Sequence, residues 1–218
     1  MEWGRAVDGY CERLDPSFWA EPVNALTNAA FLLAALAMWR RTGGMALPRL
    51  LSALLFAIGI GSFLLHTYAT AWAGLADVLP ILLFVLTYTF AANRHFWRLS
   101  PLWSALGAVL VIPWLALLTP LFRLVPGLST SAMYWPIPLL IALYAVALRR
   151  RLPGVARGQA IGAALLCLSL AARSLDTALC PVLPLGTHWL WHLLNALMLG
   201  WMIEVLRRHM LEAARPLG

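Results

Sequence analysis

The sequence predicts an all-α polytopic membrane protein of seven transmembrane helices, with the N-terminus outside and the C-terminus in the cytoplasm. Composition is the first reason, because the 218 residues are 62% hydrophobic and only 11% charged, whereas soluble domains carry about 25% charged residues. The other reasons are long charge-free runs and the uneven placement of arginine between them. A water-soluble enzyme, a coiled coil and a disordered chain are thereby excluded.

The charge-free runs give the spans in order, since a helix needs roughly 20 mostly apolar residues to cross a bilayer. The third and sixth runs are short unless they include charged residues, which are Asp77 at the start of the third and Arg173 with Asp176 near the end of the sixth. The first run does not fit a signal peptide, because Arg40 and Arg41 follow it. The whole chain, 1–218, is then one domain. The runs cover 22–39, 50–76, 78–93, 99–122, 124–148, 158–172 and 177–203.

The arginines predict the orientation of the spans. With seven spans, twelve arginines fall on one side and three on the other, and Arg173 lies inside a span. By the positive-inside rule the richer side is cytoplasmic. The formal net charge of +7 therefore reflects topology, and no nucleic acid partner is expected. The twelve are Arg40, Arg41, Arg49, Arg94, Arg98, Arg149, Arg150, Arg151, Arg157, Arg207, Arg208 and Arg215, and the three are Arg5, Arg13 and Arg123.

Three histidines near the outer side predict a metal site. His188 and His192 open the seventh span, and a four-residue spacing puts them on one face of a helix. His66 ends the second span, which exits outward, so it can lie at the same depth as the pair. Three histidines and an open position are typical of catalytic zinc, whose bound water becomes a nucleophile near neutral pH. A packing or interfacial role for the histidine pair is the alternative.

Two polar residues are candidates for catalysis beside this site. Asp77 lies on the same outer side, where a carboxylate is costly without a partner. It would act as general acid or base, or orient a histidine ligand. Ser62 lies one turn before His66, so its hydroxyl would stabilise an oxyanion, or it would merely pack beside Gly59 and Gly61.

Arg173 and Asp176 form a second charged pair in the membrane region. They are three residues apart, so on a helix they face each other and are expected to neutralise each other's charge. Support of the zinc site is the alternative.

Taken together, these motifs resemble the alkaline ceramidases, whose broader superfamily includes the adiponectin and progestin receptors. The resemblance covers nearly the whole chain in the right order, and the combined pattern is far more specific than any one motif. It is carried by Tyr10-Cys11-Glu12-Arg13, Phe18-Trp19-Ala20-Glu21-Pro22 with Asn24, Thr27 and Asn28, Gly61-Ser62-Phe63-Leu64-Leu65-His66, Asp77 with Leu79-Pro80-Ile81, Arg173 with Asp176 and Cys180, and Gly186-Thr187-His188-Trp189-Leu190-Trp191-His192.

The resemblance implies a zinc-dependent amidase that cleaves the N-acyl bond of ceramide, or of a related N-acyl lipid, to a sphingoid base and a fatty acid. It implies that His66, His188 and His192 bind zinc, that Asp77 activates the water, and that Ser62 contributes to the oxyanion environment. A receptor-like lipid sensor with a structural zinc site is the alternative, and an ion transporter is a weaker one. With 16 arginines, no lysine and short loops, we expect a bacterial inner membrane protein whose site faces the periplasm.

The resemblance also implies a calcium ion in the N-terminal segment. Glu12 and Glu21 match that pattern, and Asp8 is the third candidate ligand, since calcium prefers oxygen ligands. The match is looser here, because an extra residue separates Asp8 from Cys11 and Leu14 stands where a side-chain ligand is expected. A solvated acidic segment without calcium is the alternative.

A disulfide between Cys11 and Cys180 is implied by the same resemblance. Both residues fall on the predicted outer face, where disulfides persist. Such a bond would tie the N-terminal segment over the site.

Overall fold

The fold is all-helical in the residues that the computed structural model describes, 2–7 and 9–214. A short 3-10 turn, Ser129–Ser131, precedes the seventh helix. The α-helices of this part of the chain are α1 (Pro22–Thr27), α2 (Ala29–Arg41), α3 (Ala46–Tyr68), α4 (Ala71–His95), α5 (Pro101–Val109), α6 (Val111–Arg123), α7 (Pro136–Leu148), α8 (Pro153–Leu179) and α9 (His188–Ala213).

Six stretches of the described residues are long and apolar enough to cross a membrane, which fits an integral membrane protein. Six of the seven predicted membrane spans thus correspond to long apolar helices. The exception is the predicted span 124–148, in which the only α-helix is α7. With 13 residues, α7 is about 20 Å long at about 1.5 Å per residue, short of a hydrocarbon core of about 30 Å. The six are Pro22–Arg41, Ala46–Tyr68, Ala71–His95, Pro101–Arg123, Pro153–Leu179 and His188–Ala213.

The predicted boundary between the second and third spans was wrong. The run 50–76 breaks at Ala69, which ends α3 with a left-handed backbone (φ +45°). Asp77 therefore lies inside the second turn of α4 and not at the start of a span. No charge or proline marks this break, so an apolar count cannot find it.

Close helix contacts at small residues set the position of the site. A Cβ atom at Gly61 of α3 would collide with the main-chain oxygen of Ala76 in α4. Because Gly61 has no side chain, the backbone of α4 lies directly against α3 at this point. Gly61 immediately precedes Ser62, and Ala76 immediately precedes Asp77. Gly158 of α8 likewise packs against Val205 of α9, where the small residue allows close approach.

The N-terminal segment is tied to the turn between α3 and α4. The Val7 amide donates to the Ala69 carbonyl at 2.7 Å, and the carbonyls of Arg5 and Trp3 accept from Ala71 and Trp72 at 2.9 and 3.2 Å. The last two bonds satisfy amides in the first turn of α4, which have no partner within their own helix. The segment is thus a structural cover for this end of the bundle.

Candidate metal centre

The side chains of His66, His188 and His192 meet at one end of the bundle. One ligand atom from each lies within 4.8 Å of the others, and the three residues are 1%, 1% and 0% exposed. The last turn of α3 supplies His66, and the first turns of α9 supply the pair, which share one helix face as predicted. The arrangement can hold one metal ion.

Each of these rings has a buried nitrogen with no hydrogen-bond partner among the described residues: Nε2 of His66, Nδ1 of His188 and Nε2 of His192. Buried polar atoms without partners are rare and need an explanation. A cation shared by imidazoles of neutral histidines provides one, so the residues present fit a metal ion of the kind that imidazole prefers.

Two side chains next to the histidines, Glu21 and Thr27, fix the orientation of two of the three rings. The Nδ1 atom of His66 lies 2.6 Å from Oε2 of Glu21, and Nδ1 of His192 lies 2.8 Å from Oγ1 of Thr27. The single hydroxyl proton of Thr27 is directed to the Val23 carbonyl at 2.8 Å, so Thr27 accepts the Nδ1–H of His192. Both rings then turn an unprotonated Nε2 towards the centre, as carboxylate–histidine–metal sites do.

Asp176 holds the first turn of α9 in place. Its Oδ1 accepts from the amides of Thr187 and His188 at 2.7 and 2.8 Å, and its Oδ2 accepts from the Cys11 amide at 2.9 Å. Gly186 (φ +61°) allows this contact, because any Cβ there would collide with Asp176. The carboxylate therefore positions the helix that carries two of the three histidines.

The expected neutralisation of Arg173 by Asp176 was wrong. Arg173 forms no ion pair with the described residues, and its Nη1 donates to the Thr130 carbonyl at 2.9 Å and to Oγ of Ser131 at 3.1 Å. Its guanidinium lies 5.2 Å from the ring centre of Tyr134. Helical spacing brings the two residues near each other. The Asp176 carboxylate nevertheless accepts hydrogen bonds from main-chain amides, and the Arg173 guanidinium is directed towards the metal centre instead.

Asp77 and Ser62 lie beside the histidines, outside the set of residues close enough to share an ion in the described chain. Ser62 is buried one turn before His66. The carboxylate of Asp77 lies within hydrogen-bonding reach of the Ser62 hydroxyl, in the neighbourhood of His66 and Arg173. Their position beside the centre suits the roles expected for them, which stay predictions.

Tyr10 covers the centre, a position that the residue pattern alone did not reveal. Its ring lies 3.9 Å from the His188 ring and 5.0 Å from the His66 ring, measured between centroids. Burial raises the pKa of the Tyr10 hydroxyl, and the nearby Arg173 opposes that shift. The uncharged side chain thus covers the metal centre. Its position in the Tyr10-Cys11 motif was the one feature of the sequence that could have indicated this role.

The two described members of the predicted calcium set have other partners. The oxygens of Glu12 accept from the amides of Val23 and Asn24 at 2.7 and 2.8 Å, which caps α1. Those of Glu21 accept from Arg13 at 2.6 Å and face His66. Burial would raise the pKa of Glu21, but these bonds outweigh it and lower the pKa. The geometry of these two carboxylates does not fit a calcium site, and the third predicted ligand, Asp8, lies outside the described residues.

The structure joins Cys11 to Cys180 in a disulfide, the pairing that the resemblance implies, with Cα atoms 5.5 Å apart and a sequence separation of 169. The bond connects the segment that carries Tyr10 to the end of α8. It therefore closes a loop that includes α1 to α8, about three quarters of the chain, at the metal-centre end.

Cys180→Ser is expected to lower the stability of the folded protein by about 2–4 kcal/mol, because the cross-link no longer restricts the unfolded chain. Thermal unfolding in detergent measures the effect, and Cys167→Ser, which removes the free thiol, is the control with an unchanged transition. Equal unfolding temperatures for Cys180→Ser and wild type would contradict a structural disulfide.

The chain was compared with known proteins. No protein-family model matches it, and no curated protein matches it. A fold alone does not define an activity, so function is inferred from the chemistry of the site.

Proposed function

We propose that the protein is a zinc-dependent hydrolase that cleaves the N-acyl bond of ceramide, or of a related N-acyl lipid, to a sphingoid base and a fatty acid. The observation that carries the proposal is the convergence of three buried histidines, each with one unpartnered ring nitrogen among the described residues. Three imidazoles with a free coordination position are the ligand set of catalytic zinc. The sequence resemblance points to the same chemistry.

His66, His188 and His192 would hold the metal, and Glu21 and Thr27 would fix the tautomers of two of them. Bound zinc supplies Lewis-acid activation of water and of the scissile carbonyl.

The remaining steps belong to protein side chains. Asp77, which lies outside the ligand set, takes a proton from the attacking water and returns it to the leaving amine. The new C–O bond forms first and puts negative charge on the carbonyl oxygen. The C–N bond then breaks as the nitrogen receives the proton from Asp77, giving a fatty acid and an amine. Ser62 donates a hydrogen bond to the developing oxyanion, and Tyr10 keeps bulk water from the centre.

A narrow apolar cavity supports a lipid substrate. It lies between α4, α7, α8 and α9, and it reaches Tyr134 and Trp191, whose rings face Arg173. An acyl chain placed there would lie inside the bundle with its polar end towards Arg173 and the metal centre. The lining includes Phe84, Tyr88, Ile141, Leu166, Trp191 and Met198.

Seven crossings are part of the proposal, with α7 completing the seventh. Tyr134, just before α7, packs on Trp191 at the metal-centre end, with ring centroids 5.5 Å apart. Tyr144 of α7 donates to Oδ1 of Asn93 at 2.7 Å, near the opposite end of α4. The chain direction then alternates through seven passes, and the arginine distribution favours a metal centre facing outward. In a bacterial inner membrane this side is the periplasm.

A receptor-like lipid sensor with a structural zinc site is the second candidate. The metal centre and the residues around it connect α1, α3, α9 and the N-terminal segment. A metal ion with a purely structural role would hold the same elements together, which favours this candidate. The sensor would bind zinc and lipid without turnover.

The test is fatty-acid release from a short-chain fluorescent ceramide by purified protein of known zinc content. We expect release by wild type and by His95→Ala, a control histidine at the far end of α4, and none by His188→Ala at equal folded amounts. Zinc-loaded wild type that releases nothing from ceramide or from other N-acyl lipids would contradict the hydrolase and favour the sensor.

A further inference from the structure

Arg13 places a buried positive charge next to the metal centre. Its side chain is 5% exposed, and its Nε atom donates to Oε1 of Glu21 at 2.6 Å. Burying a charge is costly unless it is paired and fully hydrogen-bonded. The partners of this guanidinium should therefore show what the charge is for.

Those partners come from three separate parts of the chain. Besides Glu21, the guanidinium donates from Nη1 to the carbonyls of Asp15 and Ser17 at 3.2 and 3.3 Å, and from Nη2 to the carbonyl of His66 at 3.0 Å. They belong to the N-terminal segment, the start of α1 and the last turn of α3. A cation is also favourable at the C-terminal end of α3, where carbonyl oxygens lack partners within the helix.

One carboxylate oxygen and several main-chain carbonyls around a single positive centre are the kind of ligands that would otherwise surround a calcium ion. Here a guanidinium fills that place, with its donors in a rigid plane. The family resemblance implies calcium in this same segment, with Glu21 as a ligand. We propose that Arg13 is a built-in cation that takes over the structural role of that ion and positions His66.

The positioning acts on His66 from two sides. Arg13 holds its carbonyl directly, and it also fixes Glu21, whose other oxygen faces Nδ1 of the same residue. Loss of Arg13 leaves Glu21 buried without its charge partner and frees the imidazole to rotate or change tautomer. Arg13 is thus a positioning residue that acts on metal binding through His66.

The first test needs no variant. Calcium or a calcium chelator is added to the purified full-length protein, and unfolding temperature and zinc affinity are measured. We expect both to stay unchanged up to millimolar calcium. A calcium-dependent rise in either quantity would overturn the proposal, because it would reveal a calcium ion in the structural role.

The second test compares Arg13→Met with Arg5→Met, a matched control in the same segment whose side chain is exposed. Zinc affinity is measured on folded protein by competition with a chromogenic chelator. We expect Arg13→Met to weaken zinc binding about 10- to 100-fold, as loss of an outer partner does, with Arg13→Lys between it and wild type. Equal affinities for Arg13→Met and the control would overturn the proposal.

Chemical rescue separates the charge and shape of the group from general damage. In Arg13→Ala, millimolar methylguanidinium is expected to restore unfolding temperature, and methylammonium at equal concentration is not; restoration by neither or by both would overturn the proposal. The zinc readout rests on the proposed metal centre, whereas the unfolding temperature does not. Absence of zinc from wild type would therefore count against the proposed function alone.

Discussion

His192→Ala is expected to remove metal binding and lipid hydrolysis together. His192 is fully buried, and its Nε2 is one of the three convergent nitrogens. Loss of one of three protein ligands should weaken zinc binding by more than the roughly 10- to 100-fold that loss of an outer partner costs. Zinc content after dialysis, measured with fatty-acid release on the same sample, checks the result.

Thr27→Val is the matched variant for this prediction. Valine has nearly the shape of threonine but cannot accept the Nδ1–H of His192, so the ligand remains while its orienting partner is lost. We expect zinc affinity between that of wild type and His192→Ala, with the helical circular dichroism of all three proteins equal.

Full zinc content and full turnover in His192→Ala would refute the proposed ligand set.

Asp77→Asn is expected to separate catalysis from metal binding. The amide has the size of the carboxylate but cannot take a proton, so turnover should fall about 10²- to 10⁴-fold, the usual contribution of general acid–base catalysis. Zinc content should stay at the wild-type level, because Asp77 lies outside the set of residues that can share the ion.

The comparison of kcat with zinc content decides the role of Asp77. Ser62→Ala serves as the companion variant, with a smaller fall in kcat, since a hydroxyl beside the oxyanion supplies only part of the stabilisation. Loss of zinc from folded Asp77→Asn would show that Asp77 is a ligand, and unchanged kcat would show that it has no part in proton transfer.

The histidine cluster could be predicted because its evidence is local. The four-residue spacing of His188 and His192 fixes their common face, and the alternation of spans brings His66 to the same end. The partners of the rings could not be predicted in this way. Thr27 and Glu21 reach the histidines because α1 packs against α3 and α9, which no spacing within α1 reveals.

The partners of the charged residues could not be predicted from spacing either. Spacing on α8 predicts that Arg173 and Asp176 pair, yet Asp176 accepts from the amides of Thr187 and His188, which follow α8, and from the amide of Cys11 in the N-terminal segment. Glu21 was predicted to bind calcium, and in the fold it faces the guanidinium of Arg13. In both cases backbone amides or an arginine eight residues earlier compete for the carboxylate, and composition carries no information about that competition.

The most direct test of the central claim is the metal content and coordination of purified wild type, measured by elemental analysis and X-ray absorption at the zinc edge. We predict about one zinc ion per chain with imidazole nitrogen ligands near 2.0–2.1 Å, and loss of that signal in His192→Ala. Folded, monodisperse wild-type protein that contains no zinc and takes up none on addition would contradict the account.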